Sequence, residues 1–148
     1  DTHISPVGRL DMASEGLLVF TNDTEFAQAL LDPETHVAKT YHVQIDRIAD
    51  DALIAALIAG VEDDGEFLSA KSVSLLRAGE RNSWLEIVLT EGRNRQIRRM
   101  LATLDTACLR LVRVRFGALE LGELGKGAVR ALTEAEVEAL RRDVGARR

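Results

Sequence analysis

The chain is short of cysteine, histidine and long apolar runs, and each shortage excludes a class of protein. Its single cysteine, Cys108, can form no internal disulfide, so a disulfide-stapled secreted fold is excluded and a cytoplasmic protein is expected. The three histidines (His3, His36 and His42) are scattered and show no paired Cys/His spacing, which predicts no metal site. No apolar run approaches the roughly 18 residues of a membrane span, so no membrane partner is predicted.

What is present fits a single globular domain with an uneven charge distribution. The 148 residues are 46% hydrophobic and 29% charged, with a net charge of −5. From Arg93 to Arg115, here called the arginine segment, seven arginines and one acidic residue give +6, while the other 12 basic and 23 acidic residues give −11. Local charge attracts phosphate, so the segment predicts a nucleic-acid-binding patch. A solvated helix face is the alternative, but the arginines continue beyond one helix.

The periodicity of apolar residues predicts alternating strands and helices. The predicted strands are 17–21, 39–45, 71–76, 84–89 and 109–116, and the predicted helices are 25–31, 50–59, 94–104 and one opened by a capping box at Thr133 and Glu136. An acidic loop is expected at 61–65, and strand 109–116 is expected to have one apolar and one cationic face. Short turns join several strands. This predicts an α/β (α+β) protein with a mixed, largely antiparallel sheet flanked by helices.

The stretch from Gly8 to Asp23 is the most informative in the chain. It places Asp11 beside Arg9, between glycines and just before the apolar run 17–20. A carboxylate on a turn at a strand edge is a common way to present a catalytic group. By spacing alone, Asp11 could equally serve only as a turn residue.

This motif is the first of three blocks of sequence that stand in a fixed order. They are Gly-Arg-Leu-Asp-x-x-Ser-Glu-Gly-Leu-Leu from Gly8, Lys-Thr-Tyr-His-Val from Lys39, and Glu-Gly-Arg-Asn-Arg-Gln-Ile-Arg-Arg-Met from Glu91. With the closing run from Val112, they resemble the RsuA/RluB/E/F family of ribosomal RNA pseudouridine synthases over about residues 7 to 140. The resemblance implies the pseudouridine synthase fold. It also implies an isomerase that needs no cofactor, because no electrons or groups enter or leave when uridine becomes pseudouridine.

The resemblance also implies roles for individual residues. Asp11 is expected to be the catalytic carboxylate, and Tyr41 to stack on the extruded uracil and help to move the C5 proton. Arg98, with Arg95 as second choice, is expected to keep Asp11 ionised, because burial alone would raise the pKa of that carboxyl. The expected substrate-binding residues are Arg9, Arg93, Arg95, Leu111, Arg113 and Arg115.

Each of these roles has a simpler alternative. Arg98 could be one more phosphate contact, Tyr41 a strand aromatic packed in the core, and Leu111 a plain core residue. Arg9 could support the turn rather than RNA.

The main functional hypothesis is therefore a 23S ribosomal RNA pseudouridine synthase, and the Thr-Tyr-His-Val-Gln-Ile region is most similar to the RluE type. The alternative is a non-catalytic RNA-binding or ribosome-assembly module, which would need the arginine segment but not Asp11. A carboxylate-using hydrolase is a third possibility, but it calls for a second positioned acid, and Glu15 is the only candidate in the motif.

Residues 1–148 are expected to form one catalytic domain that acts as a monomer. The family has a preceding strand with an Asn-Lys-Pro-type turn, and many members also carry an S4 RNA-binding domain before it. Since neither stands in this sequence, we interpret the chain as a catalytic domain whose N-terminal part is missing.

Overall fold

A computed structural model describes residues 5–7, 15–21, 37–93, 95–120 and 131–146. The strands in these ranges are β1 (Ser5–Val7), β2 (Glu15–Gly16), β3 (Val19–Thr21), β4 (Lys39–Ile45), β5 (Val61–Asp63), β6 (Glu66–Leu68), β7 (Ser72–Ala78), β8 (Ser83–Leu89), β9 (Cys108–Phe116) and β10 (Leu119–Glu120). The helices are α1 (Asp51–Ala59), α2 (Gln96–Thr103) and α3 (Glu134–Ala146). The predicted helix 25–31 lies outside the described residues.

The main sheet confirms the predicted mixed, largely antiparallel architecture. Its strand order is β10-β9-β4-β8-β7, with antiparallel neighbours throughout, and β2 adds to β9 in parallel. Two smaller pairs, β1 with β3 and β5 with β6, are also antiparallel. Short turns connect several of these strands, as at Gly79, whose N–H donates to the carbonyl of Asn82.

Helix ends follow the capping rules that the sequence indicated. Asp50 caps α1 by accepting a hydrogen bond from the Leu53 N–H at 2.8 Å. The capping box before α3 is confirmed, because the Thr133 hydroxyl accepts from the Glu136 N–H while the Glu136 carboxylate accepts from the Thr133 N–H.

The acidic stretch predicted as a loop at 61–65 is instead the β5–β6 hairpin, and that prediction was wrong. Asp64 and Gly65 both have positive φ angles, 52° and 79°, which suit the two central residues of a type I′ turn. The Asp-Gly pair was the sequence signal for this hairpin, and the surrounding charge concealed it.

Two apolar clusters occupy successive parts of the β4–β9 strand pair. The first contains Val43 and Leu111, which are partners in register, together with the buried side of α2. The second contains Phe116, Leu17 and buried residues of α3. Between the two clusters, Tyr41 stands opposite Arg113, and Lys39 stands opposite Phe116. The alternation of β4 puts Lys39, Tyr41 and Val43 on the same face of the sheet.

The structure overturns the expected division of β9 into an apolar and a cationic face. The register with β4 shifts between Thr40 and Tyr41, where Val114 is the extra residue on β9. Arg113 already shares the side of Leu111, which is two residues away, and the shift brings Phe116 to that same buried side. Arg113 is only 4% exposed. Within the described ranges, no helix is long and apolar enough to cross a membrane.

Candidate active site

The end of the Asp11 motif is fastened to β9, although Asp11 and Arg9 themselves lie outside the described residues. Gly16 pairs with Arg113 and has a φ angle of 112°. A Cβ atom at Gly16 would lie 2.2 Å from the carbonyl oxygen of Arg113, so no side chain fits there. The glycine of the motif is therefore required for close backbone approach.

Residues on either side of Gly16 complete this attachment, here called the latch (Glu15–Leu17). Arg110 donates from Nε and Nη2 to the two carboxylate oxygens of Glu15, at 2.8 and 3.1 Å. The Leu17 N–H donates to the carbonyl of Arg113 at 2.9 Å, and Arg113 Nε donates back to the carbonyl of Leu17 at 2.8 Å. Glu15, the motif's candidate for the second acid of a hydrolase, is thus held in a bidentate ion pair with Arg110.

Gly16, Arg113 and Tyr41 form one row across β2, β9 and β4. Neighbouring strands lie about 4.8 Å apart, so the row brings the motif's glycine within about 10 Å of the Tyr41 backbone. Tyr41 is half-buried and packs against the first apolar cluster, whereas Leu111 is a buried member of that cluster. Sequence reasoning named Tyr41 and Leu111, and the structure places both on the face that Arg113 shares.

The α2 end of the site holds Arg95 and Arg98. Arg95 is exposed and adopts left-handed angles (φ 52°, ψ 34°) at the helix N-cap, a conformation that is uncommon outside glycine and asparagine. Arg98 is half-buried, and its Nε atom is withdrawn from solvent. Burial raises the pKa of the Cys108 thiol, and the charges of Arg98 and Arg95 oppose that rise. Both guanidinium groups therefore lie near the start of β9.

Gln96 is a site residue that sequence reasoning missed. It is 3% exposed, and its Nε2 donates to the carbonyl of Ser69 at 3.1 Å and to the Glu91 carboxylate at 2.9 Å. Its Oε1 accepts from the Arg93 N–H at 3.1 Å. Gln96 therefore clamps the turn that carries Arg93 and Arg95. The glutamine within the third block was the available signal.

The positive charge of the arginine segment is largely compensated once the chain folds. Four of its arginines form ion pairs with carboxylates that lie outside the segment in sequence. These pairs are Arg93 with Glu66, Arg99 with Asp63 and Glu66, Arg110 with Glu15, and Arg115 with Glu120. Counting these four carboxylates with Asp105, the described part of the chain sets five acidic residues against seven arginines, so the predicted +6 becomes at most +2. The Arg99 hydrogen bond is also the main reason that the pKa of Glu66 lies below its usual value.

Arg113 is not part of the surface patch that the sequence suggested, because it is buried beside Phe116. Its guanidinium carbon lies 5.1 Å from the centre of the Phe116 ring. Lys39, to which sequence reasoning gave no role of its own, lies over the same ring at 5.8 Å and is 7% exposed. Burial, together with the charge of Arg113, lowers the pKa of Lys39 below its ordinary value of 10.5. Among the described residues, no group of three or more His, Cys, Asp or Glu side chains could hold a metal ion.

Comparison with known proteins relates this arrangement to one family. The family described as RNA pseudouridylate synthase matches residues 1–103. Ribosomal large subunit pseudouridine synthase B of Bacillus subtilis (strain 168) is 37% identical over 140 residues, which cover 93% of this chain and 57% of that protein. An uncharacterized RNA pseudouridine synthase of Rickettsia bellii (strain RML369-C) is 36% identical over 128 residues, covering 86% of this chain and 56% of that protein.

A solved structure agrees with these sequence matches. A crystal structure of a pseudouridylate synthase is similar with a TM-score of 0.82 at 31% sequence identity, covering 93% of this chain and 59% of that one. The chain thus spans a little over half the length of these relatives. The fold expected from the resemblance is confirmed, and the chain belongs to the RNA pseudouridylate synthase family.

Proposed function

We propose that this protein isomerises a specific uridine of 23S ribosomal RNA to pseudouridine, with Asp11 as the catalytic carboxylate. Family membership supports the reaction, and the Bacillus subtilis relative, named for the large ribosomal subunit, supports the class of RNA. The RluE subtype, a monomeric state, a cytoplasmic location and a single catalytic domain over residues 1–148 remain predictions.

The row of Gly16, Arg113 and Tyr41 is the observation that carries this proposal. Asp11 precedes Glu15 by four residues, so the chain can carry it no farther than about 14 Å from the latch. This bound is compatible with a carboxylate that acts on a base beside Tyr41, and so supports the proposed role of Asp11. If Asp11 were only a turn residue, the motif would not need, five residues later, a glycine at which no Cβ atom fits.

In the proposed reaction the N1–C1′ bond of the target uridine breaks, the uracil turns, and C5 bonds to C1′. The carboxylate of Asp11 stabilises the positive charge that develops on the sugar, or attacks the sugar or the base as a nucleophile. Arg98 keeps that carboxylate ionised, because an adjacent cation opposes the effect of burial on its pKa. Tyr41 stacks on the extruded uracil, and its hydroxyl helps to move the C5 proton.

RNA binding is proposed to rest on Arg9, Arg93, Arg95 and Arg115, with Leu111 beside the base. The ion pairs of Arg93 and Arg115 are exposed, and exposed pairs are weak enough for a phosphate to replace the carboxylate. Phosphate contacts of this kind position the RNA without selecting the uridine.

An assay on ribosomal RNA transcripts tests the proposal, with pseudouridine mapped by carbodiimide treatment and primer extension. Asp11→Asn keeps the shape of the side chain and removes the anion, so we expect a loss of at least about 10³-fold in rate. RNA affinity should remain within about twofold of the wild-type value, because the phosphate contacts are untouched. Asp51→Asn, at an exposed position in the first turn of α1, is the matched control.

Substantial activity in Asp11→Asn would show that Asp11 is not the catalytic group. RNA binding by the wild-type protein without any pseudouridine formation would instead support the non-catalytic RNA-binding module.

A further inference from the structure

Two buried cations share one aromatic ring and have no counter-ion in the part of the chain that the structure describes. Lys39 is 7% exposed and Arg113 is 4% exposed, and Phe116 between them is fully buried. Arg113 donates from Nε to the Leu17 carbonyl, but its Nη2 is buried and makes no hydrogen bond to any described residue. No described carboxylate pairs with either side chain.

Burying this pair of cations lowers the free energy of unfolding, so its presence requires an explanation. Lysine and arginine are almost never fully buried without a partner, because removing an ion from water costs several kcal/mol. Cation–π attraction to the ring of Phe116 offsets part of this desolvation cost. The two positive charges nevertheless repel each other, which contributes to the lowered pKa of Lys39.

Holding the latch does not explain the pair. One N–H of Arg113 suffices for the Leu17 carbonyl, so the terminal nitrogens add nothing to that contact. Lys39 takes no part in the latch. An apolar side chain at position 39 would cover Phe116 without the cost of a buried charge.

The position of the pair identifies its ligand. Lys39 and Arg113 lie on the same face as Tyr41, with Arg113 directly opposite Tyr41 and Lys39 two residues away along β4. We propose that Lys39 and Arg113 form an anion subsite that takes the phosphate group adjoining the uridine at Tyr41. This inference rests on the proposed function, since it concerns the nucleotide bound at that site.

The two side chains suit a phosphate in complementary ways. The guanidinium of Arg113 offers a planar set of donors that matches phosphate oxygens, and the Lys39 ammonium is a compact charge on a flexible stem. Because the stem is flexible, the ammonium can swing outward to meet an entering phosphate. A bound anion would also restore the charged form of Lys39, so binding would be accompanied by proton uptake at alkaline pH.

Nucleotide titrations followed by NMR test the subsite on the complete chain. The probes are uridine, uridine 5′-monophosphate, uridine 3′-monophosphate and inorganic phosphate. We expect one of the two nucleotides to bind wild type at least about tenfold more tightly than uridine, and more tightly than inorganic phosphate. Which nucleotide binds tightly identifies the phosphate that the subsite takes.

Substitutions then test whether Lys39 and Arg113 cause the preference for the nucleotide over uridine. In Lys39→Met and Arg113→Met, the affinities for nucleotide and uridine should converge to within about twofold, with uridine affinity unchanged. Arg77→Met is the matched control, because Arg77 also lies over an aromatic ring, that of Trp84 at 4.9 Å, but on exposed strand β7. Arg77→Met should keep the full preference.

Thermal unfolding separates a binding role from a structural one. Lys39→Met should not lower Tm, because it removes a buried charge that has no carboxylate partner among the described residues. If Arg113→Met fails to fold because the Leu17 contact is lost, Lys39→Met alone still decides the question.

Three results would overturn the subsite: no nucleotide preference in the wild type, a full preference in Lys39→Met, or inorganic phosphate binding as tightly as either nucleotide. A protein that shows the preference yet forms no pseudouridine would refute the proposed reaction and leave the subsite intact.

Discussion

The arginines on the surface of the arginine segment and the two cations beside Phe116 are compensated in opposite ways. On the surface, Arg93 and Arg99 meet Glu66 through hydrogen bonds of 3.0 and 2.8 Å. In the interior, Lys39 and Arg113 meet no described carboxylate, although each charge there is far harder to leave unpaired. The surface arginines, for which pairing contributes little energy, are therefore paired. The buried cations, for which pairing would contribute most, have no carboxylate partner among the described residues.

This difference distinguishes charges that are paired within the folded protein from charges that we propose to be paired by a bound anion. A surface ion pair contributes little energy and can exchange a carboxylate for a phosphate. A buried unpaired cation lowers stability and is retained where a ligand supplies the missing anion. Among the described residues, the buried cations without a carboxylate partner lie on the Tyr41 face of the sheet.

The largest expected effect comes from Gly16→Ala, which disrupts the latch that joins the Asp11 motif to β9. The added Cβ would lie 2.2 Å from the Arg113 carbonyl oxygen at a φ angle of 112°. Overpacking and backbone strain together should cost about 3 kcal/mol in the free energy of unfolding, measured in urea.

Gly79→Ala is the control for that substitution, because its Cβ would stand at an ordinary 3.5 Å from the Asn82 carbonyl oxygen. Its effect should stay within about 1 kcal/mol. Equal losses in the two variants would mean that Gly16 holds no special contact.

Effects of intermediate size are expected from substituting Arg98 and Arg99, which are neighbours on α2. Arg98→Ala should lower the rate of pseudouridine formation by about 10²-fold or more, because the catalytic carboxylate would lose its cation. Arg99→Ala should mainly lower thermal stability, since Arg99 joins α2 to Asp63 and Glu66 of the β5–β6 hairpin. Single-turnover rates together with Tm values for both variants provide the measurement. Similar rate losses in Arg98→Ala and Arg99→Ala would indicate that Arg98 only contacts phosphate.

The smallest effect is a pH dependence of the difference in unfolding free energy between wild type and Lys39→Met. The folded-state pKa of Lys39 lies below its ordinary value of 10.5, so the unfolded chain binds more protons between these two values. The cost of the buried charge is therefore full below the folded-state pKa and is relieved as pH rises from there towards 10.5. Wild type should gain stability relative to Lys39→Met across that window.

Urea unfolding at a series of pH values measures this difference. Arg77→Met is the control, because arginine keeps its charge throughout the range, and its difference from wild type should stay level. A level difference for Lys39→Met as well would show that its charge is not buried in solution.

Much of the fold was predictable, because it depends on local pattern. The strand 39–45 and the helix 94–104 were placed within two residues, since apolar spacing and caps are read directly from neighbouring residues. The β5–β6 hairpin was missed because its residues are acidic, although Asp64-Gly65 is a strong turn signal. The two-faced pattern expected for 109–116 was wrong because strict alternation puts Leu111 and Arg113 on one face. The extra residue Val114, which no periodicity reveals, then adds Phe116 to that face.

The sequence by itself determined the family, the alternation of strands and helices, and the residues Tyr41, Arg98 and Asp11 as candidates for chemistry. Only the tertiary structure decided which carboxylates compensate Arg93, Arg99, Arg110 and Arg115, because Glu15, Asp63, Glu66 and Glu120 reach the arginine segment through folding alone. It also decided that Lys39 and Arg113 meet over Phe116. The physical reason is that charge compensation depends on distance in space, and strand pairing joins residues that stand far apart along the chain.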